Sequence, residues 1–248
     1  MKSGLGRVLA GLCATAALTA TAACGAGADD GASPAGDKAG STRESRGANA
    51  GPGLEPLSKA QLGRAVLTGA DVKGYRVGKV SDDEMPDVSV PADPAVCQPL
   101  ADMFLLGSEP GAEARAARSV TSLTETDATV VQVGLLAYEE ADAEKVLAGL
   151  RTASEKCDAY EHTDYKYSGV GPRKAPALGD EAVSYAMTGK IDGETIPMTY
   201  VVVRSGSTLA AFSGMNVLDA KRAAVPDAIV EAQVAKVEKL KKAAPAGE

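Results

Sequence analysis

The sequence predicts an α+β domain, in which helices pack on an antiparallel sheet, after a signal peptide and a disordered tether. Runs of alternating apolar and polar residues, typical of half-buried strands, are joined by short turns, which favours antiparallel pairing. Four other segments carry apolar residues at helical spacing. Both kinds of segment lie within residues 57–243, whereas residues 24–56 contain neither and residues 244–248 form a short tail.

The first elements of the body follow from local signals. Ser58 and Gln61 have the spacing of a capping box, which predicts a helix that ends near Gly69. Residues 75–80 alternate like a strand, and the acidic, proline-rich stretch 81–93 predicts a loop. Asp93 and Pro94 are typical of a helix start. That helix would carry Cys97, with Pro99 as the place for a kink.

The rest of the body reads as strands interrupted by one long helix. Alternation predicts paired strands, and Asp-Gly between two such runs is a strong hairpin signal. Apolar residues at helical spacing predict the two remaining helices. The strands are expected at 117–124, 129–138, 165–170, 182–191, 196–204 and 208–215, with turns at Asp192-Gly193 and Ser205-Gly206, and the helices at 139–157 and 227–242.

Residues 1–23 are typical of a bacterial export signal. Lys2 and Arg7 form a positive start, and the uncharged stretch that follows is too short to span a bilayer comfortably. The residues before Cys24 resemble a lipobox, although Thr21 stands where such boxes usually carry an aliphatic residue. We expect cleavage before Cys24 and its acylation, with palmitate among the chains. The alternative is a plain signal peptide that leaves a free thiol.

The cysteine count agrees with export and acylation at Cys24. Cys13 leaves with the signal and Cys24 carries lipid, so Cys97 and Cys157 remain of four cysteines. Outside the cell, two remaining cysteines most simply form one disulfide, and two separate thiols are the alternative. Closing a loop of about 61 residues would contribute roughly 4 kcal/mol in the chain-entropy model.

The segment between the lipid and the body is predicted to be a tether. Residues 25–56 are mainly Gly, Ala, Ser, Asp and Pro, and Leu54 is the one aliphatic residue larger than alanine. Such a composition cannot bury enough apolar surface to offset its ordering entropy. We expect a flexible linker that holds the body away from the membrane.

Composition excludes several functional classes. With 26 Lys and Arg against 33 Asp and Glu, the net charge of −7 argues against binding a nucleic-acid backbone. A single histidine, His162, excludes a multi-histidine metal site. Ser205 and Ser207 flank Gly206 without forming a nucleophile elbow. His162, the one candidate base, is interpreted as a solvated residue of a polar loop.

Three further patterns have weak chemical interpretations. Ser168–Lys174 contains glycines and two basic residues but lacks the spacing of a phosphate loop, so we interpret it as a plain loop. The acidic run 82–87 does not match a calcium loop. Glu139, Glu140, Asp142 and Glu144 are expected to complement the start of a helix. We therefore expect no cofactor, no metal and no catalysis.

Several segments together carry a family resemblance: Leu67–Tyr75, Pro94–Cys97, the strand and helix that end at Tyr138 and Cys157, Leu178–Ala182 and Val201–Ser207. They resemble the extracellular sensor domain of PknH-type actinobacterial serine/threonine kinases and the lipoproteins that share it. The resemblance implies an α+β fold, a disulfide between helices and an exposed cleft for a ligand. It carries over no ligand-binding residues. The second disulfide of that sensor is absent here, as are a kinase and a transmembrane helix.

These observations favour a lipid-anchored, extracellular module that recognises a small molecule, a lipid or a cell-wall component. One alternative is an accessory module that binds a protein partner at the membrane or wall. Another is a secreted hydrolase, which would need His162 or a pair of acids in a cleft. The membrane, reached through the lipid, is the one partner that the sequence itself indicates.

Overall fold

The computed structural model describes residues 55–86, 88–124, 126–216, 218–219 and 222–243. The expected signal peptide, Cys13, Cys24, the tether up to residue 54 and the tail 244–248 lie outside the described residues. Within the described ranges, no helix is long and apolar enough to cross a membrane.

The described fold is α+β, as the sequence predicts, and its strands form a single antiparallel sheet in the order β1-β2-β3-β8-β7-β6-β5-β4. Two short 3₁₀ turns, 82–84 and 95–97, precede α2. The helices are α1 (Lys59–Ala65), α2 (Gln98–Phe104), α3 (Glu140–Lys156) and α4 (Asp227–Ala243), and the strands are β1 (Tyr75–Lys79), β2 (Ala114–Ser122), β3 (Thr129–Ala137), β4 (Ala159–His162), β5 (Tyr165–Arg173), β6 (Glu181–Ile191), β7 (Glu194–Ser205) and β8 (Thr208–Asn216).

Helices cover both faces of the sheet, and each face has its own apolar core. α2 and α3 pack on one face, and α1 and α4 pack on the other. Successive strand residues point to opposite faces, so β7 sends Tyr200 and Val202 toward α3 but Val201 and Val203 toward α4. The central strands are therefore apolar on both faces.

The second helix begins later than the sequence predicts. The main chain of Asp93 pairs with that of Glu161 through two hydrogen bonds, of 2.8 and 3.0 Å, and is therefore held in an extended form. A 3₁₀ turn follows, and α2 starts at Gln98. Pro99 lies in the first helical turn, where main-chain N–H groups have no partner within the helix, so proline's missing N–H costs no hydrogen bond. The expected kink is therefore wrong.

The sequence also misses β4 and places only part of β5. β4 has four residues and pairs with β5 through a turn at Thr163 and Asp164, whose φ angles are 50° and 67°. The Asp192-Gly193 turn has φ angles of 51° and 87°. Both turns have the left-handed backbone that tight hairpins require. In a sequence, the dipeptide Asp-Gly predicts such a turn, whereas Thr-Asp does not.

A buried amide joins the two helices of one face. Gln233 of α4 has no solvent exposure. Its Oε1 accepts the main-chain N–H of Leu67 at 2.9 Å, and its Nε2 donates to the carbonyl of Ala65 at 2.9 Å. At the end of α1, the carbonyl of Ala65 and the N–H of Leu67 have no partner within the helix, and Gln233 supplies the hydrogen bonds that they lack.

An ion pair continues this contact one turn further along α4. Lys236 donates to the carbonyl of Val66 at 3.0 Å and to Asp71 at 2.8 Å. Burial pushes the pKa of Asp71 upward, but hydrogen bonds from Lys236 and Thr68 outweigh it and hold this pKa below the ordinary 3.8. The carboxylate is therefore a stable acceptor at neutral pH.

We predict that Gln233→Leu lowers the free energy of unfolding by about 2–3 kcal/mol, because two buried main-chain groups lose their partner. Urea unfolding of the full chain measures the effect. Lys239→Leu, an exposed change on the same helix, is the control and should alter stability by no more than about 0.5 kcal/mol. Equal stability of the two variants would contradict this role for Gln233.

Cys97 and Cys157 meet where the start of α2 approaches the end of α3. Their Cα atoms are 5.4 Å apart, in a geometry compatible with a disulfide. Both side chains are buried. A bond here would fix the two helices of one face to each other, as Gln233 does on the opposite face.

Replacing Cys97 and Cys157 together by alanine should lower the free energy of unfolding by about 3–4 kcal/mol, because the unfolded chain regains the freedom of a long loop. Thr152→Ala, an exposed change on α3, should have little effect. Peptide mass mapping without reductant should show the two cysteines linked. Two alkylatable thiols in the untreated protein would refute the pairing.

Candidate functional site

The residues that could form a hydrolase triad do not meet. Ser205 and Ser207 flank the β7–β8 turn, next to the level where Arg204 pairs with Glu181. His162 lies at the other end of the sheet, beside the level where Lys166 pairs with Lys190. The stretch of β6 between these levels corresponds to roughly 30 Å of extended strand. Neither serine can therefore use His162 as a base.

His162 is not the solvated loop residue that the sequence suggested. It is the last residue of β4, and only 7% of it is exposed. Strand alternation places it with Tyr160 on the face that α2 covers, which explains its burial. The sequence did not indicate this burial, because β4, with four residues, is too short to show a periodic pattern.

The acidic run near residue 82 is used locally. Ser81 and Glu84 form a reciprocal capping pair, with bonds of 2.8 Å from the main chain and hydroxyl of Ser81. These bonds lower the pKa of Glu84. Asp82 pairs with Lys59, whereas Asp87 lies outside the described residues. Within the described ranges, no three His, Cys, Asp or Glu side chains gather as metal ligands do.

The acids at the start of α3 anchor that helix to the sheet. Arg204 of β7 is largely buried, and its guanidinium lies 3.5 Å from Glu140 and 3.5 Å from Glu144. A third carboxylate, Asp180, lies 3.6 Å away. Glu139 precedes the helix but makes no side-chain cap bond. Part of the acidic cluster thus pairs with a specific arginine, beyond the helix-end role expected from sequence.

The segment Ser168–Lys174, interpreted from sequence as a plain loop, is mostly strand. Residues 168–173 form the last six of the nine residues of β5, with a register shift between Ser168 and Gly171, and Arg173 pairs with Ser184 of β6. This pairing places Arg173 on the face that α1 and α4 cover. Lys174 then begins a strap that runs to Leu178 above the sheet.

That face carries a groove of 580 Å³ between the strap and α4, which we call the α4 groove. Its floor comes from β6 and β7, and its walls come from the end of β5 with the strap and from the first turns of α4. A smaller hollow of 200 Å³ shares Arg173, Thr199 and Ala224 and extends the groove along the sheet. The groove is lined by Arg173, Lys174, Ala175, Pro176, Ala177, Leu178, Ser184, Thr199, Val201, Ala224, Val225, Asp227, Val230 and Glu231.

The groove exists because α4 is held to one side. Its main packing is on β7 and β8, and Gln233 ties it to α1 above β2 and β3. The chain entering α4 also lies tight on the sheet, since a Cβ at Gly214 would meet the main chain of Ala224 at 3.0 Å. β5 and part of β6 are left without a helix above them.

The groove combines an apolar floor with charged walls. Val201 and Val230 supply apolar surface, and Ser184 donates its hydroxyl to a carbonyl at 2.9 Å. Arg173 and Lys174 stand on one wall. Asp227 and Glu231, one turn apart on α4, stand on the other, as the i, i+4 spacing requires.

None of these four charged side chains forms an ion pair or a side-chain hydrogen bond with another described residue. The same is true of the half-buried Thr199 hydroxyl on the floor. The groove therefore presents two cationic groups, two carboxylates and a hydroxyl that are available to a ligand. This arrangement can bind and orient a molecule, but it holds no nucleophile paired with a base.

Comparison with known proteins identifies the fold. No protein-family model and no curated protein sequence matches the chain. Among solved structures, the extracellular domain of PknH from Mycobacterium tuberculosis is similar, with a TM-score of 0.51 and 12% sequence identity. The match covers 76% of this chain and 98% of that domain. The two proteins thus share a fold.

Proposed function

We propose that the protein is a lipid-anchored, non-catalytic ligand-binding or sensory module on the extracellular face of the cell membrane. Its fold resembles an extracellular domain, and its sequence carries a lipobox-like signal at Cys24 followed by a tether. The α4 groove is its ligand site. The accessory-module alternative is tested by the same experiments.

The α4 groove carries this proposal. Its 580 Å³ falls within the range of sites that bind small molecules, roughly 300–1,000 Å³. An apolar floor provides affinity for the body of a ligand, and the unengaged charges on the walls select its polar groups. Arg173 and Lys174 suit an anionic group, whereas Asp227 and Glu231 suit a donor or a cation.

Native mass spectrometry of the intact protein, extracted from its own bacterial membrane, tests the function. We expect a non-covalent adduct that is lost only on activation. A bare mass, with acyl chains and one disulfide alone, would contradict the small-ligand function and favour a protein partner, to be sought by cross-linking on cells.

We predict that Arg173→Ala combined with Lys174→Ala weakens or abolishes the adduct, because charge-assisted bonds to the ligand are lost. Lys166→Ala combined with Lys190→Ala is the matched control. It removes the same charge from the same sheet face outside the groove and should leave the adduct unchanged. Equal losses in both double variants would show a general charge effect and remove the groove from the proposal.

We predict that Cys24→Ala releases the protein from membranes, because the acyl chains are its anchor. Fractionation of cells into membrane and soluble material measures the change. Cys13→Ala, within the signal, is the control and should leave the protein in the membrane fraction. Full retention of the Cys24→Ala protein would count against the lipid anchor without affecting the groove.

A further inference from the structure

A second pocket lies on the opposite face of the sheet, between α2, the chain before it and the end of β4. It has a volume of 340 Å³, and we call it the Asp102 pocket. Two titratable side chains border it although the fold buries them: Asp102 of α2 is 9% exposed, and His162 of β4 is 7% exposed. Buried polar groups normally have hydrogen-bond partners, so the bonding of these two residues is informative.

Both residues keep bonding capacity that no other described residue uses. Oδ1 of Asp102 accepts from the hydroxyl of Ser89 at 2.7 Å and from Nε2 of Gln98 at 2.8 Å. Oδ2 of Asp102 has no partner among the described residues, and neither does the imidazole of His162. These atoms are not enclosed by protein, in contrast to the sealed hydroxyl of Tyr185. Asp102 and His162 both line the pocket, where a ligand can reach them.

The surroundings define the charge and polarity of a ligand. No lysine or arginine of the described residues lines the pocket, and Glu109 adds a second carboxylate. Arg115 is not among the residues that line the pocket, and it donates to the main-chain carbonyls of Leu106 and Met85. Val88, Val90 and Leu105 form an apolar wall, and Val88 is 70% exposed at the surface.

We infer that the Asp102 pocket binds a small organic cation, namely a primary ammonium with a short apolar chain. The ammonium has three donors. One donates to Oδ2 of Asp102 in a charge-assisted bond, and a second donates to an imidazole nitrogen of His162. The alkyl chain packs on the valines of the wall. This site is separate from the α4 groove and does not depend on what the groove binds.

His162 makes the test direct, because it is the single histidine of the chain and its imidazole protons give isolated NMR signals. The full chain in detergent is titrated with n-butylammonium chloride, n-butanol and sodium butyrate at equal ionic strength. We expect a saturable shift of the His162 signals, and NOEs from the butyl protons, with the ammonium alone. An equal response to butanol or butyrate, or no saturable response to the ammonium, would overturn the inference.

Asp102→Asn should weaken ammonium binding about tenfold or more, because the charge is lost while the side chain keeps its shape. Glu155→Gln, an exposed change on α3 outside the pocket, should leave the affinity unchanged. Unaltered affinity in Asp102→Asn would also overturn the inference. Should that variant not fold, the three-ligand comparison on the unaltered protein still decides.

Discussion

The buried amide of Gln233 is the contact on which the functional face depends. α1 has only seven residues, which is too short to be stable without tertiary packing. Gln233 bonds both the carbonyl of Ala65 and the N–H of Leu67, so α1 and α4 form one layer. That layer covers β2, β3, β7 and β8. Because α4 is committed to this position, it cannot also cover β5 and β6, and the α4 groove is the uncovered remainder.

The core on the opposite face of the sheet is built from a different set of side chains. The chain has no Trp and two Phe, so tyrosines fill this core. Tyr185 stacks on Tyr200 at 4.8 Å, and Tyr160 stacks on Tyr167 at 4.6 Å. Burial raises the pKa of each of these four phenols, which stay neutral. This stacked layer packs against β4, which carries His162 at its end.

The sequence predicts most of the fold, because its signals are local. The capping box at Ser58, the amphipathic α3 and α4 and the Asp192-Gly193 hairpin each depend on residues a few positions apart. The groove could not be predicted in this way, since only the sheet and the placement of α4 bring Arg173 and Asp227 to the two walls of one groove. For the same reason, the sequence did not predict that Asp102 and His162 line the same pocket. Two sequence signals mark the walls of the groove: the basic pair Arg173-Lys174 at the end of β5, and the acids Asp227 and Glu231 at the start of α4. They indicate a common site only once the topology is known.

The central claim, that the α4 groove is the ligand site, is tested most directly by amide hydrogen exchange of the full chain. Exchange is measured for the protein recovered with its adduct and for the same protein after the adduct is removed. If the α4 groove holds the ligand, exchange in the adduct-bound protein slows in residues 173–178 and 224–231, which form its two walls. Exchange in β1 and β2, which lie far along the sheet, stays the same. Unchanged exchange in both walls, while the adduct is present, would contradict the assignment of the groove as the ligand site.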